Sequence, residues 1–149
     1  MKVEEGLLYI NGRDMAEMGV FLMEKTPAEH KNYDELLKGA ETKEQTAVDY
    51  SEENGEELPE KLEIRFKARD VKLRFAVVGK DRKEWFGRWR EFRALMSSGW
   101  LTLRLPEIES EFRMYLKAMG ELSQLTQLSG SGKQIASVMV TLREPKPTF

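Results

Sequence analysis

The sequence predicts an α+β, mostly β fold: an antiparallel β-sandwich or barrel-like sheet carrying one packed α-helix and a long polar arm. Three observations point to it. Apolar and charged residues alternate with period two in several separate stretches, as in Leu73, Phe75 and Val77 against Lys72 and Arg74. Only residues 81–96 show a substantial helical stripe, with Trp85, Trp89, Phe92 and Met96 at spacings of four, three and four. Residues 26–60 are polar, acidic and poor in large apolar side chains, which suits an arm or loop better than a packed core. No βαβ rhythm of the kind that builds a parallel nucleotide-binding sheet is present. At 149 residues the chain fits a single domain, 1–149, long enough to bury a core.

The elements follow in order. Leu7 to Ile10 reads as a short strand, and Asn11-Gly12 tolerates the positive φ values of a tight turn. Asp14 and Glu17 have capping-box spacing for a short helical turn, Gly19 is placed to end it, and Val20 to Met23 forms the next strand. Within the arm, a short helix is expected at Tyr33 to Lys38 and a strand at Gln45 to Tyr50. Leu62, Ile64, Phe66 and Ala68 alternate with charged residues, and the run at Leu73 to Val77 follows after Asp70-Val71, so these two runs are expected to pair antiparallel. Asp81 and Glu84 form a second capping box that opens the helix, and Gly99 stops it. Trp100 to Leu105 is a strand ended by Pro106, and Phe112 to Ala118 is another, which Gln124 to Leu128 either continues or follows as a separate strand. Ser129-Gly130-Ser131-Gly132 is a flexible turn, Ala136 to Leu142 is the last strand, and Pro145 and Pro147 forbid further pairing.

Composition excludes several chemistries. The chain contains no cysteine, hence neither a disulfide framework nor a thiolate nucleophile or ligand. His30 is the single histidine and lies in a charged run, which predicts a solvated loop residue, not a base or metal ligand. Gly130-Ser131-Gly132-Lys133 lacks the phosphate-loop spacing, because Gln127 stands where the first glycine is required and Gln134 where Ser or Thr is required. No acid pair lies in an apolar context that would separate their pKa values. The sequence therefore predicts no enzyme, no cofactor, no metal and no small-molecule substrate. It also predicts no membrane contact, since there is no long apolar run and Glu84 and Glu91 interrupt the basic helix face. The N-terminus carries no secretory pattern, so synthesis in the cytoplasm is expected.

Net charge is only −2, yet its distribution is uneven. Glu29 to Glu63 holds twelve acids against four lysines, whereas Lys80 to Arg93 holds six bases against three acids. Opposed charge of this kind suits attraction between copies. Arg88, Arg90 and Arg93 on the helix and Glu52, Glu53, Glu56 and Glu57 on the arm are the candidate subunit-interface residues. A competing reading makes helix 81–96 a nucleic-acid-binding module, with bases stacked on its rings and phosphates on its arginines. Helical geometry opposes it: the rings share one face, arginines mostly occupy the other, and a single-helix architecture needs that apolar stripe to cover its sheet.

The segments "LLYINGRDMAEMGVFLME", "LPEKLEIRFKARD" and "WLTLRLPEIESEFRMYLKAMG", with the polar excursion and helix between them, resemble the N-terminal domain of the distal tail proteins of long-tailed bacteriophages, in a short form. The resemblance covers most of the chain, in pattern more than identity, and "FRMYLKAMG" looks like the family's strand that carries a Tyr after a loop at the strand start. It implies a β-sandwich with a packed helix, assembled as a ring, usually a hexamer, at the virion tail tip. Such a ring connects the tail tube to the tail-tip hub, so its implied partners are further copies of itself and the tail-tube, tape-measure and tail-hub proteins. Larger members carry an additional carbohydrate-binding-like domain, which a chain ending at Phe149 is expected to lack. A tail-tube or tail-completion protein is the alternative within the same class.

Overall fold

A computed structural model describes residues 5–24, 31–49, 51–124 and 132–149. Its seven strands are β1 (Tyr9–Ile10), β2 (Arg13–Asp14), β3 (Val20–Leu22), β4 (Arg69–Gly79), β5 (Leu101–Leu105), β6 (Ser110–Gln124) and β7 (Gln134–Glu144). The helices are α1 (Lys31–Leu37) and α2 (Arg82–Met96). All the strand pairs are antiparallel, in one sheet of order β2-β1-β5-β6-β7-β4-β3. The fold is thus α+β and mostly β, a sheet curled into a half-barrel.

The long β6 makes the curl. Its first part, Ser110 to Met114, pairs with β5, and from Tyr115 onward it pairs with β7, with irregularities between Leu116 and Ala118 and between Met119 and Leu122. Bulges bend and twist a strand. The two halves of the sheet therefore face one another and share one core: Ile10, Leu101, Leu103 and Phe112 from one half, Val71, Leu73, Phe75, Val138 and Val140 from the other. Helix α2 fills the space between with Trp85, Phe92 and Met96, all buried. Phe92 meets Phe75 at 5.3 Å between ring centroids, and the Trp85 indole donates to the Val77 carbonyl at 3.0 Å.

Local signals act as their chemistry dictates. Asn11 and Gly12 both adopt positive φ, 53° and 81°, and close the β1–β2 hairpin with Ile10 opposite Arg13. Asp14 accepts from the Ala16 amide to open a 3-10 turn over Met15–Met18, and Gly19 ends it at φ 67°. Asp81 accepts from the Glu84 amide at 2.8 Å, capping α2. Gly79 turns β4 into α2 where a Cβ would lie 2.6 Å from the Trp85 backbone nitrogen. Gly79→Ala is accordingly expected to cost about 1–3 kcal/mol through overpacking, read as a lower midpoint in denaturant melts.

The alternation over 62–68 does not form a strand. Leu62 and Ile64 are exposed, and Phe66 makes only an isolated bridge to Thr42. Nor is there a turn at Asp70-Val71, because β4 runs straight through it. The inward positions change parity at this point, from even numbers to Arg69, Val71 and Leu73. That change of phase marks where the chain leaves the arm and enters the core, and Arg69 is inward because Glu144 is there to receive it. The expected arm strand at 45–50 is reduced to a bridge between Val48 and Glu57, and Tyr50 lies outside the described residues. Phe112 to Ala118 and Gln124 belong to one strand, with 125–128 outside the described residues.

Candidate functional site

Helix α1 and β4 are joined by polar side chains. The Glu24 carboxylate accepts from the amides of Lys31 and Asn32, both at 3.0 Å, satisfying the open N-terminus of α1. Buried Asn32 accepts from the Arg74 amide at 2.8 Å and donates to the Met23 carbonyl at 2.9 Å. Glu35 accepts from the Lys72 amide. These side chains occupy amides of β4 beyond the short strand β3, so α1 blunts an edge that would otherwise be a pairing template. At the other end of α1 the Arg69 guanidinium donates to the Glu35 and Leu36 carbonyls and pairs with Glu144 at 2.7 Å.

Beyond α1 the chain runs out and back as an extended arm. Lys43 and Lys67 donate across it to Arg65 and Glu41, and Val48 and Glu57 exchange two backbone hydrogen bonds. Nearly all of the described residues between 41 and 65 are exposed, including Val48, Leu58, Leu62 and Ile64, and including Glu52, Glu53, Glu56 and Glu57. From Asp49 to Glu60 there are six acids and no base. Val48, Leu58, Leu62 and Ile64 thus share an exposed ribbon with those acids.

The arginines of α2 divide. Arg88 is turned into the chain, donating to the Val78 carbonyl at 2.6 Å and pairing with Glu84 at 2.7 Å. Arg90 and Arg93 are exposed, as are Lys80, Arg82 and Lys83. The helix rings face inward: Trp85 and Phe92 are buried, and half-buried Trp89 stacks on Trp85 at 5.7 Å with 8° between planes. His30, Glu29 and Gly130-Ser131 lie outside the described residues. Among the described residues no cluster of acids could hold a metal ion, and no helix is long and apolar enough to cross a membrane.

Sequence reasoning missed the outer face of β1, β5 and β6. Trp100 stands half exposed, with Tyr115 edge-on at 5.8 Å and the Arg113 guanidinium 4.2 Å over its ring. Asn11 fixes the backbone beneath it, donating to the Trp100 carbonyl and accepting from the Thr102 amide. Arg104 lies 4.2 Å over Tyr9 one row away. The signal was present in the cross-strand spacing, since Trp100 and Tyr115 flank the Leu101–Met114 pair, but it needs the register to be seen. In the adjoining row Asp70 bonds both Lys117 and Arg143.

The Lys117 hydrogen bond, with that of Arg143 and the charge of both, holds the Asp70 carboxyl below its ordinary range despite some desolvation. A depressed folded-state pKa means that Asp70 contributes stability above the unfolded value of about 3.9, and that this is lost as pH falls through the lower folded value. Asp70→Asn is expected to flatten the acid limb of the stability profile below about pH 4 and to leave the pH dependence above it unchanged, as followed by thermal melts across pH.

Another edge lies on β6. Among the described strands, its residues beyond Met114 pair with β7 alone.

No protein-family model matches the sequence, and no curated protein matches it. Among solved structures the fold is similar to the Dit protein of phage SPP1, described as a paradigm of the hub adsorption apparatus in phages infecting Gram-positive bacteria. The TM-score is 0.52 at 9% identity, over 93% of this chain and 49% of that one. The two share a fold, and this chain spans about half the length of that protein.

Proposed function

We propose that this protein is a structural component of a phage or prophage tail, resembling the distal tail proteins, which assembles into a ring joining the tail tube to the tail-tip hub. Its role is assembly, without catalysis. The observation that carries this reading is the arm: a protruding acidic ribbon that leaves Val48, Leu58, Leu62 and Ile64 in water on its own chain. A fold similar to that of a phage hub protein over nearly the whole chain supports it. So does the edge of β6 beyond Met114, where among the described strands only β7 pairs with it; the other side suits strand addition from a neighbour. The partners are other copies of itself and the adjoining tail-tube, tape-measure and hub proteins; its place is the tail tip of the virion.

Light scattering and negative-stain electron microscopy test the proposal. Closed rings are expected at high protein concentration, and deletion of residues 44–63 is expected to abolish them while preserving cooperative melting. A strict monomer at every concentration, together with neighbouring genes that encode no tape-measure or hub protein, would sink it.

A further inference from the structure

Resting on the ring-forming arm proposed above, we propose that the arm docks on the outer face of β1, β5 and β6 of a second copy of this chain, centred on Trp100. The arm has two requirements. Its acids between Asp49 and Glu60 call for cations, and its exposed Leu58, Leu62 and Ile64 call for apolar surface. Two basic surfaces compete for it. The exposed side of α2 offers Arg82, Lys83, Arg90 and Arg93, but the large apolar residues of that helix are buried or half-buried. It supplies charge alone, and exposed ion pairs are screened at physiological ionic strength.

The Trp100 face supplies both. Trp100 is 50% exposed and Tyr115 37%, while Arg113 and Arg104 lie exposed beside the rings they cover. Tryptophan, tyrosine and arginine are the side chains that dominate binding hot spots. Stacking by Arg113, the edge contact of Tyr115 and the paired bonds of Asn11 hold Trp100 in place before any partner arrives, so little freedom is lost on docking. The chain does not satisfy its own face, since the arm's apolar side chains remain exposed. Donor arm and acceptor face are different surfaces, so the contact is heterologous and closes into a ring when the rotation permits.

Photo-cross-linking of the full chain tests the assignment. With p-benzoylphenylalanine in place of Trp100 and isotopically distinct copies mixed, irradiation is expected to give intermolecular cross-links to the 44–65 stretch. In parallel, Trp100→Ala with Arg113→Glu is expected to weaken self-association at least tenfold without lowering the melting temperature, and Glu56→Arg with Glu57→Arg is expected to restore part of it in the Arg113→Glu chain. Rings whose cross-links from position 100 fall outside the arm, or whose association is unaffected by these variants, overturn this inference and leave the ring proposal standing. A chain that never self-associates overturns this inference, and overturns the ring proposal as well when the neighbouring genes encode no tape-measure or hub protein.

Discussion

Replacing Arg69 with alanine is expected to destabilise the protein by about 3–5 kcal/mol, because it strands the Glu144 carboxylate in the interior. Both side chains are only 8% exposed, and the pair closes at 2.7 Å. The same guanidinium donates to the Leu36 carbonyl at 3.0 Å and to that of Glu35 at 3.3 Å, placing a cation at the C-terminal end of α1. It also lies 5.8 Å from the centroid of Phe112 and 5.5 Å from that of Phe149. One side chain therefore ties α1, two central strands and the C-terminal segment together. Arg69→Met with Glu144→Leu is expected to recover much of the loss, since replacing both charges removes the desolvation that a lone carboxylate would suffer. Urea melts of the two single variants and the double variant measure the coupling. An additive result would show that the pair does not hold the fold.

This ion pair also explains where sequence reading stops. The period-two pattern correctly identifies β4 from Leu73 onward, and the helix stripe, capping box and Asn11-Gly12 turn all correspond to observed elements. Those signals are local. They arise from side-chain periodicity and from backbone conformations that few residues tolerate. Arg69 carries no such signal, because an inward arginine becomes intelligible only once Glu144, 75 residues away, is seen beside it. Likewise Leu62 and Ile64 alternate like core residues but belong to the arm, where they stand about half exposed among the described residues. Alternation reports that one face is apolar, and not what that face meets. The arm's acidity was legible, whereas the Trp100 face was not, since its rings and guanidinium groups converge only through the β5–β6 register. Of the arginines read as interface residues, Arg88 is committed to Val78 and Glu84, a geometry fixed by the turn at Gly19 and the close of β4.

Trp85→Ala is expected to cost about 3–5 kcal/mol, the range for emptying a fully buried aromatic site. Trp85 is 1% exposed, and its indole N–H reaches the Val77 carbonyl at 3.0 Å, so truncation opens a cavity and leaves a buried acceptor short of a donor. Trp89 stacks against it from a half-buried position, and Trp89→Ala is expected to cost about 1–3 kcal/mol, nearer the loss of one partly buried side chain. The order of the two effects distinguishes the sheet-covering helix from a nucleic-acid-binding one. A ring used for stacking bases would have to be available at the surface, and its removal would weaken single-strand binding in a salt-dependent manner while sparing the fold. Chemical denaturation with single-strand binding measured on both variants separates the cases. Stability losses in the order Trp85 above Trp89, with no salt-dependent binding to lose, assign the aromatic stripe to the core. The opposite order, or a Trp89→Ala chain that melts like the parent but no longer binds single strands, would reassign α2 to nucleic acid.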